Sequence, residues 1–408
     1  MYRKDFSLIQ HTPLIHFENL ENATIRPTEL KSKLDKFLLV KCKDFLDAGD
    51  PKNKDDLIKF KTKYRYKVFV KANNIKIEGI EKKTPLYFGN LGNKKPPKNY
   101  SEADKNYKKP HEKWFSRSLS KITVSFFSFN KTLLDCIENN FEAFLASTNF
   151  GTRQSKGYGS FYLADKEFKP NLIDGFVYKL RINKSDWIEA LKDVDLFYRF
   201  LRQGINRVSF NKTKESRITV FYCKPAVFSY VKKIFPDIEW EKRVIKQNFF
   251  SDALVSQAKN YPYSDVLKSG DKKRDIRDIF GLSSNERWFT YSAYIKKIDQ
   301  SGKIKRFKSP ITIKPIKVSN GFDVYFFMDW RKEERLDEFL GTSLKIEATG
   351  KFIDCKPFKI KVLEDFDFDD FFRYVSEVKL DEYVDKEYHG SKDFGQLKGM
   401  LNNFEKVK

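Results

Sequence analysis

The order in which apolar periodicities change along residues 1–168 constrains this chain most. Residues 5–11 (DFSLIQH) alternate as a short strand that stops at Thr12-Pro13. The segment ATIRPTELKSKLDKFLLVKCKDFL predicts a helix. Leu30, Leu34, Phe37 and Leu38 form its apolar stripe, with Thr28 as cap and Glu29 in the first turn. KYRYKVFVKA and NIKIEGI predict two strands in a hairpin across Asn73-Asn74. KITVSFFSF reads as a strand, TLLDCIENNFEAFLAS as an amphipathic helix, and SFYLA as a closing strand. Residues 90–113 are a polar, Lys/Pro-rich insertion expected to be mobile. Without it the order is close to β-α-β-β-α-β with one extra or divided strand, the ferredoxin-like (RRM-like) pattern.

Residues 169–408 open the same way, with the strand GFVYKLRIN and the helix SDWIEALKDVDLFYRFLRQG. The strand SRITVFYCK and the helix PAVFSYVKKIF follow, then a helical, basic middle over 243–280. WFTYSAYIKKI and IKRFKSPITIKPI predict two strands across the DQSGK turn, and FDVYFFMDW a third. A helix over 331–340, the strand SLKIEAT, an acidic-aromatic stretch and a charged tail over 380–408, read as a surface helix, complete the chain. The expected fold is α+β with two ferredoxin-like domains, 1–168 and a more divergent 169–408.

Charge narrows the partners. Lys and Arg total 79 against 56 Asp and Glu, a formal +23, which favours nucleic acid or an anionic surface. The Lys, Asn, Ile and Phe richness also fits an AT-rich genome, which raises Lys without function. No window reaches membrane-spanning length, and the N-terminus lacks a signal-peptide core. A cytoplasmic protein without membrane contact is therefore expected. Cys42, Cys136, Cys223 and Cys355 are far apart with no CxxC pair, which predicts reduced, buried thiols. No cofactor motif is present. Among the histidines, His11 and His16 are spaced poorly for a metal pair, and His111 and His389 add no metal-ligand motif.

The most informative segment is NFGTRQSKGYGSF, residues 149–161. Gly151, Gly157 and Gly159 permit positive φ and a close backbone approach. Arg153 and Lys156 set cations beside backbone N–H groups, and Tyr158 offers a stacking face. That combination suits a phosphodiester backbone with an unstacked base. The loop follows a helix and lacks GxxxxGK[ST] and GxGxxG, which argues against triphosphate and dinucleotide ligands. A tight helix-to-strand turn carrying surface charge is the alternative.

GTRQSKGYGSF resembles the glycine-rich loop of the RAMP superfamily, the repeat-associated RNA-binding proteins of CRISPR systems. HTPLIHF and ATIRPTELKSKLDKF are similar to the first strand, Thr-Pro turn and basic helix of those proteins. IFGL and RFKSPITIKPI resemble the aromatic/basic Ser-Pro strand of the type III-B (Cmr) subunit near the guide RNA's 3′ end. Lys156 stands where a second Arg is common, and the 90–113 insertion is not part of the motif. The resemblance implies that Gly151, Thr152, Arg153, Gln154, Lys156, Gly157, Tyr158 and Gly159 build an RNA-facing loop. It also implies that Arg26 and Lys31 face the same groove. The implied role is a noncatalytic subunit of a type III effector complex, in antiviral defence. Its partners would be guide (CRISPR) RNA, other RAMP subunits and, as an open alternative, target RNA. The competing role is a metal-independent endoribonuclease with His16 as general acid or base.

Other constellations are less specific. Arg199 and Arg202 end a helix capped by Gly204, either as a second phosphate patch or as cations favoured by the helix C-terminus. Arg306, Lys308 and Lys314 alternate with apolar residues, as a basic strip or an ordinary polar face. Asp365, Asp367, Asp369 and Asp370 lack the glycine of a calcium loop and read better as a helix entry.

Overall fold

The computed structural model describes residues 1–16, 24–42, 53–79, 114–211, 216–250, 272–288, 291–328, 336–350, 353 and 356–408. The 90–113 insertion with His111, the first half of the helix expected over 331–340, and Cys355 lie outside the described residues.

The first half runs β1 (Tyr2–Gln10), β2 (Leu14–His16), α1 (Pro27–Lys41), α2 (Lys54–Lys63), β3 (Lys67–Lys71), β4 (Ile75–Gly79), β5 (Trp114–Ser118), β6 (Ile122–Ser128), α3 (Lys131–Ser147) and β7 (Phe161–Leu163). Four strands form an antiparallel sheet in the order β3-β6-β1-β7. Alternation along β6 sends Ile122, Val124 and Phe126 into a core with α1 and α3. The helices deliver Leu30, Leu34, Phe37, Leu133, Ile137 and Phe141 to it. Asn130 caps α3 by accepting from the Leu133 N–H, whereas α1 starts at Pro27 with Arg26 as N-cap. Thr28 is therefore not the cap; the proline, preset at φ for a first helical turn, moves the start two residues earlier.

The second half runs β8 (Val177–Ile182), α4 (Trp187–Arg202), β9 (Ile205–Asn211), β10 (Ser216–Cys223), α5 (Ala226–Ile234), β11 (Ile238–Trp240), α6 (Glu241–Phe249), β12 (Lys272–Asp275), β13 (Asn285–Trp288), β14 (Ala293–Asp299), β15 (Ile311–Val318), β16 (Gly321–Met328), β17 (Ser343–Gly350), β18 (Phe358–Val362), α7 (Phe368–Ser376), α8 (Lys392–Leu401) and β19 (Phe404–Lys406). A second four-stranded antiparallel sheet has the order β15-β16-β8-β19. Strands β11-β12-β18-β17-β14-β13 form a separate six-stranded sheet, and β9 and β10 a two-stranded ribbon.

Four expectations are corrected. The strands flanking Asn73-Asn74 are not a hairpin: β3 pairs with β6, and β4 pairs with β5 in a β2-β5-β4 sheet. Likewise β14 and β15 belong to different sheets, and residues 304–310 are not strand. Short connections favour hairpins, but here long-range pairing wins. The charged tail is not a surface appendage, because α8 packs on α4 and β8 and β19 closes the second sheet as its edge. Finally, Cys42 and Cys136 are disulfide-bonded, with Cα atoms 6.5 Å apart, because the end of α1 lies against α3. Their separation of 94 residues concealed this. Cys223 is a buried free thiol.

The two halves share their packing. Ile15, Phe115 and Tyr158 of the first half sit in the second half's core, while Ile316, Tyr325 and Phe327 sit in the first half's core. Strand β15 is buried from Ile311 to Ile316 because both of its faces are covered.

Candidate nucleic-acid interface at the glycine loop

The link from α3 to β7 is the glycine loop. Gly151, Gly157 and Gly159 have φ of +75°, +89° and +67°. What they approach is protein. A Cβ at Gly159 would lie 1.9 Å from the Phe150 carbonyl oxygen, and one at Gly157 would meet Pro315 and Leu191. Gly151 faces Leu14. Gly157 and Gly159 are thus buried hinges rather than RNA-facing positions, while residues 151–156 form a half-buried crown. Arg153, at φ +61°, holds the left-handed conformation without being glycine, which costs about 1–3 kcal/mol and tends to persist where function requires it.

Three side chains fix the loop's base. Thr12 Oγ donates to the Gly157 carbonyl (2.7 Å) and accepts from the Ser160 N–H (3.0 Å). Asn149 Nδ2 donates to the carbonyls of Gln154 (2.7 Å) and Ile313 (2.8 Å). Lys314, 0 % exposed, reaches across from β15 and donates to Thr148 O (3.0 Å), Asn149 Oδ1 (3.2 Å) and Phe161 O (3.2 Å). Three acceptors match the three donors of one ammonium. Burial, with Lys33 nearby, pushes its pKa down to about 7. Lys314 therefore belongs to no exposed basic strip; it is the clamp between the halves, and that role was not legible in the sequence. On β15, successive side chains enter opposite cores, and Lys314 shares the Ile316 side.

Helix α1 abuts the crown. Gly151 N–H donates to Glu29 Oε1 (2.9 Å), and Lys33 bridges Glu29 (2.8 Å), the Asn149 carbonyl and Gln154 Oε1 (both 2.6 Å). Arg26 is exposed at the N-cap. Lys31 instead pairs with Asp35 (3.0 Å) and lies over the Tyr66 ring (3.6 Å), directed along the helix toward the core.

Tyr158 is 2 % exposed and stacks on Phe115 with ring centroids 5.9 Å apart, so it offers no face to a base. Its apolar ring is worth more in the core than in water. Around it the charges converge. Arg199 of α4 pairs with Asp195 (2.8 Å), and Lys156 and Arg207 add attraction to the same carboxylate. Arg153 lies close enough to Tyr158 to act on its hydroxyl electrostatically. Lys156 sits over the Tyr198 ring at 3.2 Å. Burial raises the Asp195 pKa despite those cations. The structure thus brings Arg153, Lys156 and Arg199 together. Arg202 is engaged internally, donating to the carbonyls of Arg277 (3.3 Å) and Gly281 (2.7 Å). Its position at a helix end gives it carbonyls to satisfy, not a phosphate patch. Arg306 and Lys308 are exposed on the irregular segment before β15.

His16 ends β2 opposite Trp114. His11 accepts from the Lys317 N–H at Nδ1 (3.0 Å), another tie between the halves, and burial beside Lys314 and Lys317 pushes its pKa down to about 3. Asp367 caps α7, and Asp369 and Asp370 pair with Lys406 and Arg373. Among the described residues no cluster of His, Cys, Asp or Glu is arranged to hold a metal, and no helix is long and apolar enough to cross a membrane.

Curated proteins return no match. Among solved structures, the chain is similar to Cmr1 from Pyrococcus furiosus in its apo form, at 11 % identity and a TM-score of 0.37, over 100 % of this chain and 99 % of that one. The family models match in chain order, the Cmr1 N-terminal domain over residues 1–205 and the Cmr1 C-terminal domain over residues 222–401. On those two matches the chain belongs to the Cmr1 family, the RAMP subunits of the type III-B CRISPR (Cmr) effector complex.

Proposed function

We propose that this chain is a noncatalytic RNA-binding subunit that holds guide RNA by its sugar-phosphate backbone across the crown of the glycine loop. Base pairing, not the protein, would then select the sequence. The observation that carries this reading is the excess of cations around the half-buried carboxylate of Asp195, which Arg199, Lys156 and Arg207 face, with Arg153 beside the adjoining Tyr158. In a partly desolvated site that excess attracts phosphate more strongly than it would in water. Exposed Arg26, Arg306 and Lys308, with Thr152 and Gln154 of the crown, are the proposed flanking contacts. Target RNA in the same groove and neighbouring RAMP subunits along it complete the proposed assembly, in the cytoplasm. The disulfide runs against a reducing compartment, so the family supports that part of the reading.

We also read both halves as ferredoxin-like domains, divided near residue 168. The shared element order and the equivalent strand orders β3-β6-β1-β7 and β15-β16-β8-β19 support this.

The test is filter binding of guide-length RNA against salt. Neutralising about 6 phosphates gives a slope of log K on log salt near −4. Arg153→Ala with Lys156→Ala should flatten that slope and weaken all sequences alike; an unchanged slope overturns the proposal. Incubation with repeat RNA in EDTA tests the noncatalytic part. Cleavage that disappears in His16→Ala would establish the nuclease instead.

A further inference from the structure

The first sheet has two faces of opposite character. One is covered by helices, with Phe6 and Phe126 against Phe141 at 4.5 and 5.1 Å. The other carries Arg3, Asp5 and Ser7 of β1, Thr123, Ser125 and Phe127 of β6, and Lys67, Phe69 and Lys71 of β3. The register arranges these in rows. Lys67, Phe127 and Arg3 lie side by side, next come Phe69, Ser125 and Asp5, and then Lys71, Thr123 and Ser7. Phe69 is 58 % exposed, and Phe129, just past the end of β6, is 83 % exposed. The Phe69 and Phe127 rings meet edge to face at 5.5 Å, and Arg3 lies over Phe127 at 5.2 Å.

Exposed phenylalanines on a strand cost solvation free energy unless something covers them. Three cations against one carboxylate on the same face complement an anion rather than an apolar protein surface. Aromatic side chains on an open antiparallel sheet, flanked by cations, are the arrangement on which unpaired bases stack while the phosphates run along the rim. We propose that this face binds a short single-stranded nucleic acid, with bases on Phe69 and Phe127 and phosphates beside Lys67, Lys71 and Arg3. The face lies on the side of the sheet away from α1 and its contact with the glycine loop, so this is a second site, independent of the crown.

The experiment uses the full chain and a fluorescein-labelled octa-adenylate as probe. Phe69→Ala with Phe127→Ala should weaken binding about tenfold while the thermal melt still shows one cooperative transition. Because Phe127 is half-buried, Phe69→Trp supplies a second reading that needs no core change. The indole fluorescence it adds should be quenched by the octa-adenylate, and the quench should survive Arg153→Ala with Lys156→Ala. Unchanged affinity in the double alanine variant, or no quench in the Phe69→Trp variant, overturns the proposal. So does unchanged affinity accompanied by loss of a protein partner from the purified complex, which would give the face to a protein. A quench that vanishes with the crown variants would reduce the face to part of the first site and overturn its independence.

Discussion

The two four-stranded sheets have equivalent strand orders but are closed differently. In the second half, Asn402 and Asn403 alone join α8 to β19. In the first, residues 148–160 join α3 to β7. Closing such a sheet therefore requires only about two residues, within the ordinary range of short connections. The longer link, with its positive-φ arginine and its cations, is not demanded by the sheet. That surplus is the best structural reason to place function in the first half's link.

If the link is an added device clamped by the second half, its clamp should matter most. Lys314→Ala would leave three buried acceptors unpaired and should cost about 4 kcal/mol in urea denaturation. A loss under about 1 kcal/mol would mean that the halves hold the loop by apolar packing alone. Next come the hinges. Gly159→Ala places a Cβ on the Phe150 carbonyl at positive φ and should cost about 3 kcal/mol, whereas Gly151→Ala meets only the tip of Leu14 and should cost about 1 kcal/mol. Equal costs would show that the loop's two ends are equally plastic.

Arg153→Gly sharpens the comparison in the opposite direction. Relieving the left-handed backbone at Arg153 should raise stability by roughly 0.5–1 kcal/mol while RNA binding falls. A variant that gains stability and binds RNA as before would show that the strain serves nothing.

The remaining effect is set by pH and concerns His11. Its folded pKa of about 3 lies below the unfolded value of about 6.5, so the unfolded chain binds more protons between them. The contribution of His11 is fully present above about pH 6.5 and is lost as pH falls toward 3. His11→Asn, which keeps an acceptor for the Lys317 N–H, should flatten the decline in melting temperature between about pH 7 and pH 4.5. An identical decline would place the acid sensitivity elsewhere.

Much of the secondary structure is legible locally. The stripe Leu30-Leu34-Phe37-Leu38 and the alternation of Ile122-Val124-Phe126 predict α1 and β6 because helix and strand periods are short-range properties. The Arg153 and Lys156 candidates stand out for the same reason: glycine spacing and charge are written in consecutive residues. The settings of Tyr158, Lys31 and Arg202 are not legible in this way, because their partners (Phe115, Tyr66 and the Gly281 carbonyl) come from distant segments.

By itself, then, the sequence determined many of the strands and helices, the cationic bias, and a glycine-hinged link whose backbone is free to turn left-handed. The tertiary structure alone decided which strands pair, that Cys42 meets Cys136, and that a lysine with the pattern of a surface residue lies in the interior. The division is physical. Periodicity and φ preference act over a few residues, whereas burial of Lys314 depends on the glycine loop and β7 of the other half packing against β15, which no local window contains.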